Sequence, residues 1–349
     1  MATEISSIGK QALMSRLFDG SGFVNERGCT FSGDGDLGTV HKVFMEKVDF
    51  DLTYNPLRHL GHKLALNVIG ELYAGMYSPA GMDVVVALSN RFSAEDVQDL
   101  WEGVTAAAKE HGVRHLSLDL VPSAAGMVVS IAAYGSAGKE VAQKRKKAQS
   151  KDLLVLSGDL GAAYMGLQLL EREKSVYYQQ VDEARKKNDK RALEELKGFQ
   201  PDFAGKEYLL QRQLQTEARG DIIARFRELN IRPTAMMDIS DGLSSELMHI
   251  CKQSNCGCRI YEKNIPIDYQ TAVMAEELNM NVTTCALNGG EDYELLFTVP
   301  IGDHEKIQQM DNVKLIGHIT RPELGQMLVT RDNQEFELKA QGWNPLSDK

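Results

Sequence analysis

Between the apolar pair Met236–Met237 and the helical spacing of Leu243, Leu247 and Ile250, residues 238–246 carry Asp238, Ser240, Asp241, Ser244, Ser245 and Glu246. A helix start needs one capping side chain, worth about 1 kcal/mol, and acids in its first turn favour the helix dipole. Capping explains Ser240 or Asp241, but not both together with Asp238. The surplus reads as a site for Mg²⁺ and phosphate, in which carboxylates hold the ion while a hydroxyl and helix amides hold phosphate oxygens.

A second acidic stretch is NGGEDYELLF (288–297). Gly289 and Gly290 permit an unusual turn, and Glu291, Asp292 and Glu294 crowd the start of a strand. Adjacent like charges raise one another's pKa or recruit a cation, and a turn alone does not require three acids, so a ligand role is expected. SGDGDLG (32–38) contains G-x-G-x-x-G, but a dinucleotide loop uses bare glycine amides between strand and helix. This one carries Asp34 and Asp36 ahead of the strand-like TVHKVFM, and a metal loop and a solvated turn both account for it. In SGDLGAA (157–163) Gly158 and Gly161 break a strand into a helix whose first amides suit an anion, although tight-turn geometry explains the glycines equally well. The basic run Lys144-Arg145-Lys146-Lys147 is a solvated connector or an anion-steering loop. No P-loop is present. His59 and His62, three apart on an apolar helix, read as packing or surface groups, and Cys251, Cys256 and Cys258 as small thiols rather than zinc ligands.

The elements that must position these groups follow from the pattern. A chain of 349 residues with 43% hydrophobic and 25% charged residues suits two globular domains, since single cores stop growing at about 250–300 residues. A net charge of −10 argues against a nucleic-acid partner. No apolar run approaches the ~18 residues of a membrane span, and MATEISSIGKQ lacks the build of a signal peptide, so a cytoplasmic location is expected. Periodicity predicts a short helix over 6–18, a buried helix over 57–76, a strand over 82–89, a capping-box helix from Ser93 to Gly112, and strands over 113–121 and 126–134. Strand, glycine turn and helix follow over 152–173. A charge-dense surface insertion covers 172–206, helical in part at 182–197. Helices near 206–228 and 302–310 and strands at 258–262 and 313–320 complete the pattern.

DISDGLSSEL (238–247), LSGDLGAAYMGLQLL (156–170) and NGGEDYELLFTV (288–299) resemble thiamine-monophosphate kinase, of the superfamily that includes aminoimidazole ribonucleotide synthetase and selenophosphate synthetase. FDLTYNPLRHLGHKLALN (50–67) and QGWNPL (341–346) continue the likeness. The resemblance implies an α+β fold of two α/β domains: residues 1–138 for metal, ATP and dimerisation, with a mixed sheet pairing into a dimeric barrel-like core, and residues 139–349 as an α/β sandwich with the insertion near 172–206. It implies a homodimer that transfers the γ-phosphoryl group of ATP, with Mg²⁺, to thiamine monophosphate. Phosphoryl transfer needs positioning and charge neutralisation more than a covalent nucleophile, so carboxylates loaded with Mg²⁺ replace a P-loop.

Carried over by motif, Asp34, Glu71, Asp119, Asp238 and Asp241 are the implied metal ligands, Arg145 and Ser240 the ATP contacts, and Asp49, Glu291 and Trp343 the substrate contacts. The N-terminal half departs from the pattern. Where the family has Gly-Asp-Asp-Ala-Ala the chain has Gly33-Asp34-Gly35-Asp36-Leu37. Lys42 stands at a metal aspartate and Asp49 at a histidine, Asn67-Val-Ile-Gly-Glu71 replaces Asn-x-Ser-Asp, and Ser117-Leu118-Asp119-Leu120 replaces Gly-Gly-Asp-Thr. These changes leave an alternative function, a catalytically impaired paralogue that binds thiamine phosphate or nucleotide in a regulatory role.

Overall fold

Alternating apolar residues build the first sheet. The computed structural model describes residues 5–23, 35–138 and 147–341. In it, β1 (Gly35–Met45), β2 (Ser78–Leu88), β3 (His115–Pro122) and β4 (Val128–Gly138) form a mixed sheet of order β1-β4-β2-β3, with only β2 and β3 parallel. One face carries Phe44, Val84, Val86, Leu118 and Ile131, all buried, beneath α2 (Leu57–Ala74) and α3 (Ala94–Glu110). α1 (Lys10–Phe18) lies alongside α3. α3 starts in the predicted capping box, with Ser93 accepting from the Asp96 amide and the Asp96 carboxylate accepting from Ser93. The two long helices touch backbone to backbone: a Cβ on Gly61 would lie 2.0 Å from the Leu100 carbonyl oxygen, and one on Gly103 2.0 Å from that of Arg58.

Among the described residues no helix covers the large apolar side chains on the opposite face of this sheet. Leu37, Val43 and Met45 of β1 and Val85 of β2 are 52%, 51%, 49% and 38% exposed, with Ser130 of β4 in register between Val43 and Val85; large apolar side chains left in solvent on one face are of the kind that marks an interaction surface.

The second sheet has the order β11-β10-β7-β9-β5-β8-β6, from β5 (Leu153–Ser157), β6 (Ala235–Asp238), β7 (Gly257–Tyr261), β8 (Leu295–Val299), β9 (Val313–Thr320), β10 (Gln326–Val329) and β11 (Glu335–Glu337). β5 is buried at every residue, as a central strand covered on both faces must be. Leu153 and Val155 join α6 (Gly220–Glu228) and the core of the first sheet, while Leu154 and Leu156 join Leu247 and Ile250 of α7 (Leu243–Ser254). The first core therefore runs on into one face of the second sheet.

α4 (Ala162–Lys186) and α5 (Glu207–Leu214) pack together through Leu169 and Leu209. α4 extends through the start of the charged insertion, followed by a short helix at Lys190–Glu195, so the helical part begins earlier than its charge pattern suggests. β10 and β11 were not foreseen; of their few residues only Val329 is buried, and they carry little period. Among the described residues no helix is long and apolar enough to cross a membrane.

Candidate active site

The two acidic motifs are zipped together by backbone hydrogen bonds. Ile239 donates to the Glu294 carbonyl at 2.7 Å, Glu291 to that of Ser240 at 2.8 Å, and Tyr293 to that of Ile239 at 3.0 Å. The fit is close enough that a Cβ on Gly290 would come within 2.6 Å of the Ser240 carbonyl oxygen. Gly290, Glu291 and Tyr293 have φ of 70°, 58° and 53°. For the two side-chain-bearing residues this costs on the order of 1–3 kcal/mol each, retained only where surroundings enforce it. Tyr293 is enforced by burial, its hydroxyl accepting from Asn67 Nδ2 of α2 at 2.8 Å.

This kinked path separates the three neighbouring acids. Glu291 points into a cleft of about 1140 Å³ between the two sheets. Asp292 and Glu294 turn inward and are 2% exposed each. Asp292 accepts from the amides of Gly161 at 2.8 Å and Ala163 at 3.2 Å, so the anion at the start of α4 is the chain's own carboxylate and not a ligand. Burial pushes Asp292 up to about 7 against the pull of Arg212. Glu294 is held by Ser157, Arg212 and Arg219. The ligand role expected of the cluster narrows to Glu291.

At the opening of α7 the expectation of a side-chain cap fails. The N-cap residue is Gly242, with φ of 111° and no capping side chain, because a Cβ there would meet the Asn288 backbone at 3.0 Å. Ser240 and Asp241 lie ahead of it and line the cleft with Asp238 and Glu246. Asp238 ends β6, is 4% exposed, and its Oδ2 has no hydrogen-bond partner. Burial pushes it up to about 7, with Lys42 pulling down and Glu71 and Asp241 pushing further up. Glu246, on the first turn of α7, accepts from the Asp241 amide at 3.2 Å and is pushed up to about 8, again chiefly by burial. Across from them Lys42 of β1 pairs with Glu71 of α2 at 2.5 Å.

The remaining walls are polar. Asp49 lines the cleft and accepts from the Met45 amide at 2.6 Å. Lys63 is buried, and donates to Glu291 at 2.9 Å and to the Gln213 carbonyl at 2.9 Å. Tyr54 donates to Glu171 at 2.6 Å, and Lys174 bridges Glu171 and Asp51 at 3.0 and 2.9 Å. Two lysines, Lys47 and Lys174, hold the Asp51 carboxyl well below the usual range against its burial. Lys63, Tyr54, Glu171 and Lys174 escape a sequence reading; the one signal was a lysine inside the apolar run LGHKLALNV. Asp119 does not line the cleft. It sits on β3, at the far edge of the first sheet, paired with Lys10. Asp34, Arg145 and Trp343 lie outside the described residues.

Among the described residues no three His, Cys, Asp or Glu side chains are arranged as a ready-made metal cage. Mg²⁺ seldom uses one; it is held by one or two carboxylates plus substrate phosphates and water. The unpartnered buried oxygen of Asp238, next to Asp241, fits that mode. Glu71 is already engaged by Lys42.

No protein-family model matches the chain. It is 26% identical over 311 residues to the thiamine-monophosphate kinase of Bacillus subtilis, covering 86% of each chain. It is 30% identical over 223 residues to that of Buchnera aphidicola subsp. Acyrthosiphon pisum, covering 62% of this chain and 59% of the relative. Among solved structures, thiamine monophosphate kinase from Aquifex aeolicus superposes with a TM-score of 0.71 at 23% identity, covering 88% of this chain and 92% of that one. AaThiL complexed with AMPPCP and TMP gives 0.71 at 22%, covering 98% and 99%. The hydrogenase maturation protein HypE in complex with ATP gives 0.68 at 15%, covering 96% and 95%.

Proposed function

We propose that this chain, a relative of the thiamine-monophosphate kinases along most of its length, phosphorylates thiamine monophosphate with ATP, giving thiamine diphosphate and ADP. The observation that carries the reading is the junction of the 238–241 turn with the 290–293 loop. Asp238, Ser240, Asp241 and Glu291 all line the resulting cleft, whose volume of about 1140 Å³ lies at the upper end of small-molecule sites, which run about 300–1,000 Å³.

Asp238 and Asp241 would hold Mg²⁺, whose part is to neutralise phosphate charge as the phosphoryl group moves. The uncapped N-terminus of α7 and the Ser240 hydroxyl offer hydrogen-bond donors to phosphate oxygens, and the helix dipole favours their charge. Glu291, fixed by Lys63 and Gln213, orients the acceptor substrate on the opposite side of the turn. An acceptor phosphate, already anionic, needs no strong general base.

The exposed Leu37, Val43, Met45 and Val85 on the first sheet support a homodimer in which two such faces pair. Asp119 lies on that face, beside Val85 in register, so any ligand role for it is exercised across the pairing rather than in its own cleft. Incubation of the protein with ATP, Mg²⁺ and thiamine monophosphate tests the reading: thiamine diphosphate and ADP accumulate in equal amounts. Nucleotide and substrate binding without product would leave a binding protein instead.

A further inference from the structure

The carboxylates of Glu71, Asp238, Asp241 and Glu246 come from α2, the β6–α7 turn and α7, and all line one cleft. Glu71 and Asp241 act electrostatically on Asp238, and Asp238 and Asp241 on Glu246. Like charges so close need a counter-charge, by proton, metal or side chain. The side chain is present. Lys42 reaches from β1 to contact Glu71 at 2.5 Å, and its field bears on both Asp238 and Glu246. The Lys42 and Glu71 side chains are 24% and 34% exposed and both line the cleft.

We propose that the Lys42 ammonium is a tethered cation in this cluster, holding the place of a divalent ion at Glu71 and leaving the unpartnered Asp238 Oδ2 as the oxygen open to an incoming metal. An ammonium brings one charge and three donors but no exchangeable ligand sites. It therefore neutralises the wall without coordinating phosphate oxygens, and the site takes up fewer divalent ions than its carboxylates would otherwise attract. What the cation serves rests on the kinase reading; its effect on metal uptake does not.

Mn²⁺ uptake by the nucleotide-free protein, followed from the free-ion electron paramagnetic resonance signal, tests this. Lys42→Ala binds about one more Mn²⁺ per chain, or binds its ion about tenfold tighter, the scale of removing a like charge at a few ångströms. Lys42→Met, which keeps the aliphatic stem, moves the same way, and Lys42→Arg restores wild-type binding. Thermal unfolding confirms that each variant is folded, and Lys42→Met decides if the alanine variant is not. Mn²⁺ curves for the neutral variants that superimpose on wild type overturn the proposal. If wild type makes no thiamine diphosphate while the Mn²⁺ difference persists, the kinase reading falls and the tethered cation stands.

Discussion

Asp292 accepts the Gly161 amide at 2.8 Å and the Ala163 amide at 3.2 Å, and its carboxylate fastens the loop that aims Glu291 to the helix that forms the neighbouring wall of the cleft. The carboxylate is fully buried between the start of α4 and Arg212. A site built on kinked loops keeps its geometry because its charged side chains are spent on holding the loops.

Asp292→Ala should accordingly cost about 3–5 kcal/mol, the scale of removing one partner from a buried charged pair, because it strands two amides and Arg212 together. Asp292→Asn, which keeps an acceptor, should cost less. Urea unfolding of the two variants beside wild type measures both, and equal stability for alanine and wild type would contradict the role.

Gly158 has φ of 54°, and a Cβ there would sit 2.1 Å from Glu294 Oε1. Gly158→Ala should cost roughly 2 kcal/mol or more, since strain and a clash with a buried ion pair add. The same unfolding experiment reads it, and a change within about 0.5 kcal/mol, the range of ordinary surface substitutions, would show that the turn relaxes.

The acids near α7 make stability depend on pH. Glu246 moves from 4.5 to about 8 on folding and Asp238 from 3.8 to about 7. The unfolded chain gives up these protons first, so the folded state binds more protons between about pH 4 and 8 and loses stability as pH rises through that window. Glu246→Gln keeps the acceptor for the Asp241 amide and removes the titration. In metal-free buffer it should raise the unfolding temperature at pH 8 and leave it nearly unchanged at pH 4; a larger gain at the lower pH would reverse the sign.

These sites were unevenly legible in the sequence. DISDGLSSE (238–246) announced itself because six oxygen-bearing side chains exceed what a helix start uses, and the helix does begin there. Its cap could not be read, since the fit of Gly242 against Asn288 depends on a chain segment about 45 residues away. Glu291, Asp292 and Glu294 have the same chemistry in a string of letters; only the left-handed backbone at Glu291 and Tyr293 sends the first outward and the others in. Lys42 lies on the strand-like TVHKVFM, and its partner Glu71 lies on a helix whose register against that strand no local pattern encodes. The long helices and buried strands were readable because burial dictates their period, whereas β10 and β11 bury too little to leave one.

The exposed stripe on the first sheet predicts a dimer that a charge would split. Val43→Asp combined with Val85→Arg should halve the mass measured by sedimentation equilibrium while leaving far-UV circular dichroism unchanged, because both side chains point away from the core. A wild-type chain that sediments as a monomer would place the pairing surface elsewhere or nowhere.

If Asp238 lies where ATP and thiamine monophosphate exchange a phosphoryl group, its replacement must show in the rate of thiamine diphosphate formation by wild type and Asp238→Asn under saturating ATP and Mg²⁺. A readily measured wild-type rate is expected, with a fall of about a hundredfold or more in kcat/KM for the variant, the scale of losing one preorganised charge contact in a transition state. Equal rates for the two proteins, or no product from either, would contradict that placement of Asp238.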